Sequence, residues 1–217
     1  ALSLAFSAPA QAITITASQT FNPVLQVDAG SSSTALPIPG LPTGPVTNVR
    51  TTVNLTKCDD PISSAGVCEG PGFSFNSEIV LRLISPSGTT VNLIDQGTFS
   101  GQTPGATATF TFDQSASNPI GGDSLVSGTF RPTGNLNDFI GQNGNGNWTL
   151  FFKDTAGSDP LSINSFEVQV TAVPLETDAL PVVVGAAFMA GGLWWKKKRA
   201  KSKTNLDFLG VGSGKSA

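Results

Sequence analysis

The sequence predicts an all-β protein, an antiparallel β-sandwich, and two observations lead to this prediction. Apolar residues recur at every second position on both sides of a turn, at Trp148 and Leu150 before it and at Phe166 and Val168 after it. Because the side chains of a strand alternate between its two faces, this spacing indicates two half-buried strands. The composition combines 12% charged residues with 24 Gly and 15 Pro, which is typical of short strands joined by many turns.

Earlier stretches alternate in the same way and supply the remaining strands. The predicted strand segments are 13–17, 21–27, 46–55, 78–85, 89–95, 106–112 and 125–130. The sequence Ser-Pro-Ser-Gly at 85–88 predicts a tight turn, so the two segments beside it are expected to form a hairpin. The residues expected to face the core are Leu81, Leu83, Phe110, Phe112, Trp148, Leu150, Phe166 and Val168.

The segment 29–45 is predicted to be a loop or linker. It contains Pro37, Pro39, Pro42 and Pro45, and proline cannot donate a hydrogen bond to a sheet. The sandwich is therefore expected to cover 46–172. The sequence leaves open whether 13–45 adds a strand pair to it or forms a mobile arm.

The composition also excludes several functions. The chain has no histidine, which excludes Ser-His-Asp and Cys-His catalysis and every His-ligated metal site. Asp113, Asp138, Asp154 and Asp159 could supply a catalytic carboxylate pair, but each lies in or beside a turn, where Asp commonly caps the backbone. We therefore predict that the protein is not an enzyme. The net charge of -3 argues against a nucleic-acid partner.

The two cysteines, Cys58 and Cys68, are the candidates for a disulfide. They are the only cysteines of the chain, and in an exported protein such a pair is expected to close one loop. Two free thiols are an alternative, and a metal site would need further ligands that the surrounding sequence does not offer.

Calcium is the cofactor for which the sequence offers candidates. Asp95, Asp154 and Asp159 lie in loops, where carboxylates and backbone carbonyls suit a hard cation. The spacing of an EF-hand is absent, and the alternative is that these residues cap turns.

The first residues read as the end of a signal peptide. Residues 1–12, ALSLAFSAPAQA, form an apolar run that ends in the small-x-small pattern of a secretory cleavage site. The mature protein is then expected to start near Ile13. The alternative is an ordinary apolar strand.

A second apolar run, 179–195, predicts a C-terminal transmembrane helix. Its length is at the short end of the range of about 17–25 residues that span a bilayer. The expected membrane flank consists of Trp194, Trp195, Lys196, Lys197, Lys198 and Arg199. Tryptophans at the interface followed by basic residues place the body outside and the tail 196–217 inside. A buried core helix is the alternative.

The segment 173–178 and the apolar run after it resemble a bacterial sorting signal. Val173 and Pro174, the acidic Glu176, a short apolar helix and a basic cluster look like the PEP-CTERM type, in a variant similar to those of cyanobacteria. In that family, a membrane-bound exosortase-like enzyme processes the tail. This chain has Val-Pro-Leu-Glu in place of Val-Pro-Glu-Pro and continues past the basic cluster, so the resemblance leaves open whether the tail is cleaved or stays as an anchor.

The body resembles the P domain, also called P/Homo B, of kexin- and furin-like subtilisin proteases. The motifs LRLISPSGTTVNLI at 81–94, ATFTFDQSA at 108–116, SGTFRPTGNLNDFIG at 127–141 and GNWTLFFKDTAGSDPLSINSFEVQV at 146–170 follow one another in the family's order. The resemblance covers 46–172 and implies a jelly-roll-like sandwich without catalytic residues. The family's His-Thr and Gly-Asp-Leu stretch is replaced here by the cysteine loop and the residues after it.

These observations predict a non-catalytic, exported interaction or structural module that is anchored in the membrane or sorted to the surface. Its expected partners are another exported protein or a surface polysaccharide. As implied by the resemblance, the alternative is an accessory domain that packs on a subtilisin-like serine endopeptidase and stabilises it. A weaker alternative is a carbohydrate-binding sandwich, for which Phe151 is the main aromatic residue at an outward-facing position.

Overall fold

The computed structural model describes residues 11–175, which form two facing β-sheets and a short ribbon, without an α-helix. The strands of this part are β1 (Ile13–Val27), β2 (Ser31–Ile38), β3 (Val46–Lys57), β4 (Phe73–Phe75), β5 (Ile79–Ile84), β6 (Thr90–Ile94), β7 (Gln102–Pro104), β8 (Ala106–Phe112), β9 (Gly128–Phe130), β10 (Gly146–Asp154) and β11 (Leu161–Ala172). Single 3₁₀ turns occur at Asn76–Glu78 and Leu136–Phe139.

The strands form a sandwich of mostly antiparallel sheets, as predicted. The first sheet has the order β1-β11-β3-β8-β9 and the second has the order β2-β10-β5-β6, while β4 and β7 form the ribbon. The pairing of β8 with β9 is parallel. β5 and β6 pair across the tight turn, as expected. Strands β10 and β11 lie in opposite sheets, so the connection 155–160 crosses from one sheet to the other.

The space between the sheets is filled by apolar side chains. All eight residues that the sequence places in the core are at most 1% exposed. Trp148 packs edge-on against Phe139, with 5.0 Å between ring centroids, and its indole N–H donates to the carbonyl of Gly144 at 2.9 Å. The one polar group of this large side chain is therefore satisfied inside the core.

The prediction of a loop or linker over 29–45 is wrong for its first part. Residues Ser31–Ile38 form β2, which pairs with β10 at the edge of its sheet. An edge strand tolerates Pro37 because one of its two rows of N–H groups faces away from the sheet. β1 is the edge strand of the other sheet, so the segment before residue 46 contributes a strand to each layer.

Several predictions concern residues outside the described range. The signal-peptide segment lies almost wholly before residue 11, and the sorting motif continues past residue 175. The predicted membrane helix, its flank and the basic tail also lie outside the described residues. Within 11–175, no helix combines the length and apolarity that crossing a membrane requires.

Cys58 and Cys68 form a disulfide, as predicted, with their Cα atoms 5.7 Å apart. The bond packs directly against the backbone of Gly105. A Cβ atom at this glycine would lie 2.8 Å from both sulfur atoms, which is too close for any other residue without movement of the loop. The disulfide therefore closes the loop 58–68 and packs where the end of β3 pairs with the start of β8.

Removing the disulfide should lower stability without changing the fold. Closing a loop of this length contributes about 2–3 kcal/mol in the chain-entropy model. We expect the double variant Cys58→Ser, Cys68→Ser to lose about this free energy of unfolding in guanidinium titrations followed by tryptophan fluorescence. Wild-type protein in reducing agent is the control and should unfold at the midpoint of the variant. Equal midpoints for oxidised and reduced wild type would contradict the prediction.

Candidate functional site

A cluster of four charged side chains lies at one end of the sandwich, and we call Lys57, Glu78, Asp154 and Asp159 the charge cluster. The Nζ atom of Lys57 lies 2.8 Å from Asp154 Oδ2, 3.0 Å from Glu78 Oε2 and 3.1 Å from Asp159 Oδ2. It also donates to the backbone carbonyl of Asp159. Hydrogen bonds to Glu78, Asp154 and this carbonyl use all three N–H donors of the ammonium group.

The strand ends bring these residues together. Lys57 is the last residue of β3 in the five-stranded sheet, and Asp154 is the last residue of β10 in the four-stranded sheet. Glu78 ends the 3₁₀ turn before β5, and Asp159 lies in the connection that crosses between the sheets. The charge cluster therefore ties both sheets together at one end.

Burial dominates the electrostatics of the charge cluster. The side chains of Lys57 and Asp154 are completely buried, and that of Asp159 is nearly so. Burial alone would lower the pKa of Lys57, but its hydrogen bond to Asp154 and the attraction of the carboxylates outweigh burial and raise this pKa above 10.5. Burial raises the pKa values of Asp154 and Glu78, although Lys57 acts in the opposite direction. Lys57 therefore stays charged.

The cluster has the properties of a structural element. A lysine that acts as a base or nucleophile is reachable and has a lowered pKa, whereas Lys57 is enclosed and its pKa is raised. A buried charge needs close partners because leaving water costs several kcal/mol per ion. The three carboxylates supply those partners.

The structure places the three aspartates predicted for calcium in two locations. Asp154 and Asp159 both contact the Lys57 ammonium, which lies where a cation between them would sit. Asp95 lines a surface groove instead. In the described part of the chain, no group of three or more His, Cys, Asp or Glu residues is arranged to hold a metal ion.

Sequence reasoning missed Lys57 and Glu78. A signal for Lys57 was present, since Val53 and Leu55 alternate inward along β3 and the next position in that row is Lys57. Glu78 precedes the central strand in a turn, and no periodic pattern points to it. By contrast, Asp113 caps a turn as expected, accepting from the backbone N–H of Ser115 at 2.8 Å.

A groove of about 450 Å³ lies on the outer face of the four-stranded sheet. We call it the outer-face groove, and its polar and aromatic lining consists mainly of Ser31, Arg82, Asp95, Phe151, Lys153 and Thr155. Phe151 and Arg82 are opposite each other on paired strands. The Arg82 guanidinium carbon lies 5.5 Å from the ring centroid of Phe151, which is within the range of a cation–π contact.

The ribbon of β4 and β7 exposes two aromatic side chains. Phe73 is 55% exposed and Phe75 is 47% exposed, while Ser74 between them is buried. The backbone N–H of Phe75 donates to Asp159 Oδ2 at 2.5 Å. The ribbon therefore presents apolar surface from a backbone that is attached to the charge cluster.

Replacing Lys57 by methionine should destabilise the protein strongly. Breaking a buried ion pair from one side typically costs about 3–5 kcal/mol, because the remaining charges keep their desolvation penalty. We expect a loss of this size for Lys57→Met in guanidinium unfolding. Arg131→Met removes an exposed cation and is the matched control, for which we expect little change. Similar stability of the two variants would contradict the role of the charge cluster.

The charge cluster should also make the stability sensitive to alkaline pH. The pKa of Lys57 is raised in the folded state above 10.5, so its contribution is complete below the unfolded-state pKa and is lost as pH rises through the folded-state pKa. The chain has no tyrosine and both cysteines are oxidised, so neither a phenol nor a free thiol adds to the fall, and comparison with Lys57→Met separates Lys57 from the other lysines. We expect stability to fall above pH 10.5 and this fall to be smaller in Lys57→Met. A parallel decline in both proteins would contradict the prediction.

One of the comparisons with known proteins, that with family models, agrees with the resemblance seen in the sequence. Residues 73–170 match the family model of the proprotein convertase P-domain. The crystal structure of FLHE aligns with 75% of this chain and 98% of its own chain, at 15% identity and a TM-score of 0.41. No curated protein matches the sequence. From β4 to β11, the chain therefore contains a module that is similar to the P-domain of proprotein convertases.

Proposed function

We propose that this chain is a non-catalytic, exported module that binds other molecules at the cell envelope. The observation that carries the proposal is the match of residues 73–170 to the P-domain family. Lys57 and its three carboxylates pair with one another inside the fold. This pairing supports a structural role for the charge cluster. The outer surfaces are then the parts available for function.

The disulfide supports export. Disulfides persist in oxidising compartments and are rare in the cytosol of most organisms. The bond between Cys58 and Cys68 holds the loop beside the charge cluster, so the body would lose stability in a reducing compartment. Export also agrees with the signal-peptide pattern that ends at Ala12.

The C-terminal sequence supports attachment to the membrane. In this proposal the apolar run 179–195 anchors the body, and the basic cluster after it stays on the cytoplasmic side. The segment resembles a PEP-CTERM signal of the cyanobacterial type, so an exosortase-like enzyme is the proposed processing partner. Cleavage would convert the anchored protein into a released or surface-transferred one.

The exposed ribbon favours a second candidate function, in which the module packs on a subtilisin-like serine endopeptidase and stabilises it. Phe73 and Phe75 together present apolar surface that a protein partner would bury. Large exposed aromatic residues are common anchors of protein interfaces. The first proposal is broader, since it requires no protease.

Intact mass in membrane and medium fractions of the natural host tests the proposal. We expect a membrane-bound species that starts near Ile13 and retains the tail. Its mass should be that of the chain with both cysteines oxidised to one disulfide. A soluble species that ends near Val173 would indicate processing of the tail and would still agree with export.

Two outcomes separate the alternatives. A reduced, soluble cytoplasmic protein that retains residues 1–12 would contradict export. A cross-link in the intact envelope between the ribbon and a subtilisin-like protease would favour the accessory role. The matched control is a Phe73→Ser, Phe75→Ser variant, which should lose that cross-link.

A further inference from the structure

The outer-face groove collects positive charge in a part of the chain that has little of it. Residues 11–175 contain five basic side chains, namely Arg50, Lys57, Arg82, Arg131 and Lys153. Lys57 is buried in the charge cluster, and Arg50 lies 3.9 Å from Asp113. Arg82 and Lys153 both line the outer-face groove, and neither forms a salt bridge with another described residue. The groove is therefore suited to a ligand that carries negative charge.

The strand register fixes the spacing of these two cations. Arg82 on β5 is directly opposite Phe151 on β10, and Lys153 follows Phe151 by two residues on β10. Diagonal neighbours of this kind are about 7–8 Å apart, so one ligand can reach both. Contact with the Phe151 ring holds the guanidinium in place, and a guanidinium binds a carboxylate through two parallel hydrogen bonds.

Hydroxyl groups are the second chemistry that the groove accommodates. The Oγ1 atom of Thr155 is buried and has no hydrogen-bond partner among the described residues. Unpartnered buried hydroxyls are uncommon, and each calls for an explanation. Thr155 lines the groove together with Asp95 and Ser31. Asp95 offers acceptors and the two hydroxyls can donate or accept, so the lining matches a ligand with many hydroxyl groups.

We propose that the outer-face groove binds an acidic polysaccharide through the carboxylates and hydroxyls of its uronic-acid units. This inference rests on the proposed function and names the partner class of one surface. The hydroxyls of a uronic-acid unit match Thr155 and Asp95, and its carboxylate matches Arg82 and Lys153. The apolar C–H face of the sugar ring matches Phe151. A protein partner would be expected to insert apolar anchors, and this largely polar lining offers them little.

The test uses the purified full chain in a non-ionic detergent and isothermal titration with three polymers. We expect binding to polygalacturonate that weakens with added salt, and no binding to neutral dextran. Poly-L-glutamate has carboxylates without sugar hydroxyls and should bind more weakly. Equal or tighter binding of poly-L-glutamate would overturn the proposal in favour of an acidic polypeptide, and equal binding of dextran would overturn the acidic class.

Variants locate the interaction. Arg82→Gln should weaken polygalacturonate binding about tenfold or more, because a hydrogen bond to a charged group is lost. Thr155→Val should weaken it about fivefold while keeping or raising thermal stability, since the hydroxyl has no partner within the protein. Arg131→Gln removes an exposed charge outside the groove and should leave binding unchanged.

The outcomes are distinct from those of the proposed function. Absence of polygalacturonate binding, or equal weakening by Arg131→Gln and Arg82→Gln, would overturn the groove proposal. The mass measurements on membrane and medium fractions would be unaffected by that result. An envelope-bound protein that binds no acidic glycan would therefore refute this inference alone.

Discussion

The ammonium group of Lys57 lies where the two sheets, the crossing connection and the ribbon meet. Its partners come from both layers, since Asp154 ends a strand of one sheet and Lys57 ends a strand of the other. The cost of burying these charges is offset only when every partner is in place. That requirement makes the positions of these strand ends and of the crossing connection depend on one another. The neighbouring disulfide also restrains this end of the sandwich, because it holds Cys58, the residue after Lys57, to the loop that ends at Cys68.

The same end of the sandwich positions both exposed surfaces. Asp154 points inward to Lys57, so alternation along the strand turns Lys153 outward, and Lys153 lines the outer-face groove together with Thr155. The backbone N–H of Thr155 donates to the carbonyl of Glu78 at 3.3 Å. On the other side, Asp159 holds the backbone of Phe75. A rigid interior thus fixes the side chains that meet other molecules, which lowers the entropy lost when a partner binds.

The sequence predicted those features that depend on local periodicity. Alternation along 146–172 revealed the strands and their inward residues. The disulfide was predicted on another ground, because Cys58 and Cys68 are the only cysteines of a chain expected to be exported. Prediction from the sequence failed where tertiary position overrides local preference. Pro37 indicated a loop, but an edge strand tolerates a proline. Lys57 continued an inward row, but a charged residue in a core row is recognised only once its partners are known. The groove combines residues from 31 to 155, so it depended on a strand register that periodicity does not provide.

The two surfaces favour different kinds of partner. The ribbon offers two aromatic side chains, and apolar contacts of this type dominate the binding energy of protein interfaces. The groove offers cations, whose contacts weaken with added salt. It also offers hydroxyls, and hydrogen-bond geometry directs the contacts of both kinds of group. Because Phe75 is attached through Asp159 and the groove through Asp154, the two surfaces share one buried support. In the proposals made above, the ribbon would hold a protein and the groove a glycan. One rigid support behind both surfaces agrees with the proposed role of a non-catalytic module that connects molecules at the envelope.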